Sequence, residues 1–248
     1  TLETGKITLY DASWTGAFFD GWYKDPEFKE QITEIAEDSK GDITLYAKWK
    51  INKPEVYLEV AGDTVAIELP GEYYTETAEK ILDRINAIRL EACKQGVRHP
   101  DYSGKNLTMA DYVPLQWSAD LEGIARQRAA EATVEAAHTR PNGQSCFSAV
   151  TFNNVRSAGE CLAWNYEGLM TGIEQWYNEK KDWDNQTGAV TGHYQILISP
   201  MYTHIGIGAF KQSSGYYAVA LSVNGYESVA NTQKNDAHGK WKQTMEVK

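Results

Sequence analysis

Apolar positions alternate along the first 72 residues and shift to a helical spacing after Tyr73. Gly5-Lys6-Ile7-Thr8-Leu9-Tyr10 is echoed by Gly41-Asp42-Ile43-Thr44-Leu45-Tyr46, and both predict strands with Ile and Leu on one face. Between them, Asp25-Pro26-Glu27-Phe28 predicts a turn, and the Ile32, Ile35 spacing a short helix or irregular crossing. The expected order is strand, aromatic turn, short helix, strand. Val56, Leu58 and Val60, then Val65, Ile67 and Leu69, alternate about Ala61-Gly62-Asp63-Thr64, which predicts a β-hairpin. Pro54 and Pro70 suit strand ends, so residues 50–72 are expected to be a connector or edge addition containing the domain boundary.

Beyond Tyr73, Ala78, Ile81, Leu82, Ile85, Ile88 and Ala92 share a helical face that stops at Gly96. A second helix is expected from the N-cap Ser118, with Asp120 and Glu122 in its first turn, to near His138. A third is expected from Leu169 to Asp182. Strands are predicted at Tyr194 to Ile198, Ile205 to Phe210 and Tyr216 to Val223. Helices first and an antiparallel sheet last indicate an α+β domain over residues 73–226. The tail 227–248 is polar, but Trp241, Gln243, Met245 and Val247 alternate and suit an edge strand.

The segments Gly16-Ala17-Phe18-Phe19-Asp20-Gly21-Trp22-Tyr23 and Gly41-Asp42-Ile43-Thr44-Leu45-Tyr46-Ala47-Lys48-Trp49 resemble the Listeria/Bacteroides repeat of internalin-like bacterial surface proteins. The resemblance covers residues 1–49 and implies a small β-grasp-like module. The chain opens after the repeat's usual first strand, so an unpaired sheet edge is expected.

Composition narrows the function. With 42% hydrophobic and 23% charged residues the chain fits an ordinary globular protein. Its 34 acidic against 24 basic residues leave a net charge of -10, without the basic surface a nucleic-acid reader needs. No apolar stretch is long enough for a transmembrane segment. Cys93, Cys146 and Cys161 are too few for a disulfide scaffold. Fifteen Tyr and eight Trp against six Phe suit half-exposed sheets and sugar- or protein-facing surfaces.

No nucleophile elbow, His-Glu-x-x-His, phosphate loop or Cys-x-x-Cys occurs. What remains is His138, Glu160, Glu179 and His193, from four segments. Two imidazoles with nearby carboxylates can hold zinc and leave an open position. Spacing alone does not bring them together, and each His in isolation better suits a surface or hydrogen-bonded structural residue.

Ile85-Asn86-Ala87-Ile88-Arg89, Leu115-Gln116-Trp117-Ser118-Ala119-Asp120-Leu121, His138-Thr139-Arg140-Pro141-Asn142-Gly143, Gly159-Glu160-Cys161-Leu162-Ala163-Trp164, Gln175-Trp176-Tyr177-Asn178-Glu179, Gly192-His193-Tyr194 and Ile205-Gly206-Ile207-Gly208 resemble the CAP superfamily of cysteine-rich secretory, antigen 5 and pathogenesis-related proteins. The resemblance runs from about residue 73 to 226. It implies an α-β-α sandwich and a cleft tetrad in which His138 and His193 hold a divalent metal, often zinc, while Glu160 and Glu179 orient water or the imidazoles. It also implies secretion, here to the extracellular or cell-wall surface of a bacterium, and lipid, sterol, adhesion or signalling roles without a shared reaction.

Cys161 stands where many members have Asn, and Gln195 and Ile196 alter the cleft rim. Cys161 suits a buried structural thiol or a disulfide to Cys146, which an extracellular setting permits; Cys93 reads as core. Tyr194, Tyr177, Trp164 and Trp176 are candidates to line the cleft. His99, His204 and His238 read as peripheral. Three functions compete: a monomeric surface module binding a lipid, glycan or cell-surface partner; a zinc-dependent peptidase or esterase with Glu160 or Glu179 as general base; and a structural adhesin segment with an idle tetrad.

Overall fold

The computed structural model describes residues 5–12, 17–51, 62–74, 76–225 and 239–248. The chain divides into two compact units, Thr1–Lys53 and Pro54–Lys248.

In the smaller unit, β1 (Ile7–Thr8), β2 (Ala17–Tyr23), β3 (Gln31–Ile32), β4 (Glu34–Ile35) and β5 (Tyr46–Ile51) form two antiparallel sheets, β1-β4 and β3-β2-β5. The expected turn forms after β2, with Phe28 N donating to Asp25 O at 3.2 Å, and the expected short helix or irregular crossing is the pair of two-residue strands β3 and β4. Aromatic residues favour the pleated surface, and Phe19 packs edge-on against both Trp22 and Trp49 at 5.3 Å. The second echo becomes a strand only from Tyr46, where Tyr23 offers a ladder partner.

In the larger unit, β6 (Val65–Tyr74), α1 (Ala78–Gln95), β7 (Gln116–Trp117), α2 (Ala119–Glu131), β8 (Gly159–Asn165), α3 (Leu169–Asn178), α4 (Lys180–Asn185), α5 (Gly192–Ile198), β9 (His204–Lys211), β10 (Tyr217–Asn224) and β11 (Gly239–Val247) follow in order. The sheet order is β11-β6-β9-β10-β8, antiparallel throughout, with β7 added parallel to β9. Val65, Ile67 and Leu69 thus belong to a strand of the main sheet, not to a connector. The hairpin's first arm, at 52–61, and His238 lie outside the described residues. Pro70 sits within β6 rather than at its end. Among the described residues β9 joins only from Glu72, so β11 is the one strand paired with β6 at that point, which is where Pro is tolerated.

Side-chain alternation divides the sheet's faces. Cys161, Ala163, Ile205, Ile207, Ala209, Val219 and Leu221 face α1, α3 and α5, whereas Leu162, Phe210, Ala218 and Ala220 face the α2 side. The result is the expected α-β-α sandwich. Helix α1 forms where its stripe predicts, with the Thr77 side chain accepting from Lys80 N and Gly96 ending it at φ 63°. Helix α2 starts as expected at Ser118 but stops at Glu131, short of His138. Its whole surface from Leu121 to Glu131 is buried, because Ala149 and Val155 of the following segment cover Leu121 and Ile124. The third helix breaks into α3 and α4 at Glu179. The predicted strand Tyr194 to Ile198 is helix α5: Tyr194, Leu197 and Ile198 bury at i, i+3 and i+4. Among the described residues no helix is long and apolar enough to cross a membrane.

Candidate functional site

Among the described residues strand β8 is the sheet's edge opposite β11, and the site is built around it. Because successive side chains point to opposite faces, Glu160 turns to the α2 side and Cys161 to the other. Glu160 accepts from Arg128 Nε at 2.7 Å and Nη2 at 3.2 Å, and from His138 Nδ1 at 2.8 Å. The loop after α2 that carries His138 is pinned by its backbone: Ala137 O accepts from Arg128 Nη2 at 2.9 Å, and His138 O from Cys146 N at 2.9 Å. The His138 side chain stays 57% exposed while that of Glu160 is 2% exposed.

The second pair comes from the other layer. Glu179 lies at the α3–α4 junction, so its carboxylate reaches the start of α5. There Oε1 accepts from His193 Nδ1 at 2.6 Å and Oε2 from Tyr194 N at 3.0 Å. Thr191 makes no side-chain cap for α5; Glu179 meets one of its free N–H groups instead. The two imidazole rings are 6.2 Å apart. Each ring presents Nδ1 to a carboxylate oxygen, which places the ring proton on Nδ1 and leaves Nε2 as the nitrogen able to ligate.

Behind Glu160 runs a buried ion network that the sequence reading missed. Arg128 Nη1 donates to Glu131 at 2.7 Å, Glu131 also accepts from Arg140 Nη2 at 2.8 Å and from Gln127 at 2.8 Å, and Arg140 Nη1 donates to Ser148 at 3.0 Å. A signal was present: Arg128 falls seven residues after Leu121 in the Leu121, Ile124, Ala125, Ala132 stripe, where a solvated charge is out of place. Burial raises the Glu131 carboxyl, but Arg140 and Arg128 outweigh it and hold it below the ordinary 4.5. A depressed folded value means that this group's stabilisation is complete above the ordinary value and is lost as pH falls through the folded one. The melting temperature of the wild type is therefore expected to fall as pH drops below about 4.5. A Glu131→Gln variant, less stable at neutral pH, should show a flatter acid limb; an identical limb would remove Glu131 from the acid response.

Several candidates are placed differently from expectation. All three cysteines are free. Cys146 lies beside Glu160 on the α2 side and Cys161 faces the His193 carbonyl at 3.9 Å, so the expected bridge is ruled out by β8 itself, which stands between them. Burial pushes the Cys146 thiol up to about 11 and the Cys161 thiol well above its ordinary value; neither is poised as a nucleophile. Tyr194 and Trp176 do not line a cleft. Both are buried in the core, with Trp176 Nε1 donating to Leu162 O at 2.9 Å, and burial raises the Tyr194 phenol. Trp164 and Tyr177 are half-buried and donate to Ala132 O and Glu91. His99 and His204 are buried away from the tetrad, against Tyr102 and Thr203.

Residues 82–225 match the cysteine-rich secretory protein family, and residues 3–48 match the Listeria-Bacteroides repeat domain. Venom allergen 5 of Microctonus hyperodae is 26% identical over 155 residues, 58% of this chain and 63% of that protein. A putative Gly-rich membrane protein of Evansella cellulosilytica is 41% identical over 59 residues, 23% of this chain and 7% of that protein. The chain spans less than two thirds of the length of these curated relatives. The structure of Schistosoma mansoni venom allergen-like protein 4 aligns with a TM-score of 0.38 at 15% identity, covering 62% of this chain and 94% of that one. With more than half of its length matched, the chain belongs to the cysteine-rich secretory protein (CAP) family and carries a Listeria-Bacteroides repeat ahead of its CAP domain.

Proposed function

We propose that the chain is a bacterial surface or secreted binding module whose cleft at the β8 edge holds a divalent metal, zinc by preference, between Nε2 of His138 and Nε2 of His193. The observation that carries this reading is the pair of carboxylate–imidazole contacts, 2.8 Å for Glu160 and 2.6 Å for Glu179, the arrangement that orients a metal-binding imidazole from behind. Neutral imidazole nitrogen is a preferred zinc donor, and two protein ligands leave positions for a ligand from outside. When bound, the ion supplies a Lewis-acidic point for an oxygen of a lipid or glycan.

Binding is favoured over hydrolysis because both carboxylates are engaged. Glu160 is committed to Arg128 and His138, and Glu179 to His193 and the α5 backbone, so each acts as a positioning group rather than a free base. Calorimetric zinc titration of chelator-stripped protein at neutral pH is expected to show one ion per chain, lost in His138→Ala/His193→Ala. Absence of binding in the wild type, or binding unchanged in the double variant, would reduce the tetrad to a structural role.

A further inference from the structure

The α2 side of β8 holds a second constellation that the tetrad does not use. His138, Cys146 and Glu160 each offer a ligand atom within 4.8 Å of the others, two of them buried and the third, His138, open to solvent. Glu160 is the hub: it faces the His138 Nδ1 at 2.8 Å and lies against the Cys146 thiol. His193 is not a member of this group. We propose that His138, Cys146 and Glu160 form a site for a soft monovalent cation of the Cu(I) class, which shares the His138 imidazole with the His138/His193 zinc position but not His193.

Two physical arguments select that cation. The first is ligand type, since thiolate sulfur discriminates in favour of soft ions, and a thiolate–imidazole pair suits the low coordination number of Cu(I). The second is charge. The buried network contains Glu131 and Glu160 against Arg128 and Arg140, so it is neutral while the thiol keeps its proton. Binding forms the S–Cu bond and breaks the S–H bond, and the thiol proton leaves to solvent. Where Nδ1 is the ligating nitrogen, the imidazole proton moves to Nε2, with no further net change, and in that state His138 does not serve zinc. One positive charge replaces another, and the interior remains neutral. A dication would add an uncompensated buried charge, which is costly; it is better held at the more exposed imidazole pair. His138, exposed on one side, gives the ion a route inward.

The test uses Cu(I) delivered anaerobically to the full chain in competition with a chromophoric chelator. The wild type is expected to bind one Cu(I) with a thiolate-to-copper absorption in the ultraviolet and release of one proton per ion. Cys161→Ala and His193→Ala should retain both binding and absorption. Cys146→Ser should lose the absorption and weaken binding by more than the roughly 10- to 100-fold typical of losing an outer-shell partner. Wild-type protein that binds no Cu(I), or binds it without thiolate absorption, overturns the proposal without any variant having to fold; so does absorption that disappears in Cys161→Ala. Zinc separates this site from the tetrad reading. Zinc retained by Cys146→Ser but lost by His193→Ala supports two centres. Cu(I) bound as described with zinc unaffected by His193→Ala leaves the cysteine site standing and removes the imidazole-pair site.

Discussion

Arg128→Met is expected to destabilise the larger unit by about 3–5 kcal/mol, the cost of breaking a buried ion pair from one side. The Arg128 side chain is 0% exposed and lies between Glu131 at 1% and Glu160 at 2%. Its removal leaves Glu160, among the described residues, with His138 and the weakly donating Cys146 thiol, and Glu131 with Arg140 and Gln127. Methionine fills much of the volume, so the loss reports charge and hydrogen bonding more than a cavity. In a unit of this size, about 2–4 °C per kcal/mol converts the loss to a fall of roughly 6–20 °C in Tm, measurable by circular dichroism or calorimetry. Adding Glu160→Gln should recover part of the loss, because the stranded charge is then gone. A fall in Tm of less than about 2 °C for the single variant would mean that water reaches the network and screens it. The same variant should weaken zinc binding by about 10- to 100-fold, since Glu160 and the Ala137 carbonyl both lose the group that orients them behind His138.

Gly206→Ala is expected to be the most damaging single methyl addition in the sheet. A Cβ at this position would lie 1.9 Å from Glu122 N and 2.2 Å from Leu121 C, backbone atoms in the first turn of α2 that no rotamer change can move aside. Helix α2 must lift off β9, or the strand must bend. Overpacking of this kind costs about 1–3 kcal/mol and occasionally more; a backbone-on-backbone clash belongs at the upper end. Denaturant unfolding should show a lower midpoint. Because lifting α2 also displaces Arg128, zinc affinity should fall with it. Stability within about 0.5 kcal/mol of the wild type, the range of an ordinary surface change, would mean that α2 is not seated on Gly206 as closely as described.

These two residues illustrate what was legible and what was not. The stripe of α1 and its capping pair, Thr77 and Gly96, could be read directly, because helix periodicity and termini are local properties of the chain. Strands β9 and β10 were equally readable. Strand β8 was not: its Gly-Glu-Cys-Leu-Ala-Trp-Asn run is buried on both faces, so it lacks the alternation that marks a half-exposed strand. Helix α5 was mistaken for a strand because, over the few residues from Tyr194 to Ile198, periods of 2 and 3.6 cannot be told apart. The end of α2 was placed too far along because Ala132, Ala136 and Ala137 carry no stop signal, and only the turn that brings His138 to Glu160 reveals where the helix ends.

At the site, the sequence by itself supplied the four identities His138, Glu160, Glu179 and His193 and the family resemblance that joined them. It also supplied the α+β class, since layer order follows from local periodicity and burial pattern. Which carboxylate supports which imidazole was decided only by the tertiary structure: Glu160 projects from β8 to the α2 side and meets His138, whereas Glu179, at the α3–α4 junction across the sheet, meets His193. The fate of the cysteines was decided in the same way, because neighbours in a strand point to opposite faces however close they are in the chain. The Arg128–Glu131–Arg140 network likewise depends on burial, which turns charges that would be solvated on an isolated helix into obligate partners. Chain-local properties are written in the order of residues; the site's electrostatics depend on what the fold excludes from water.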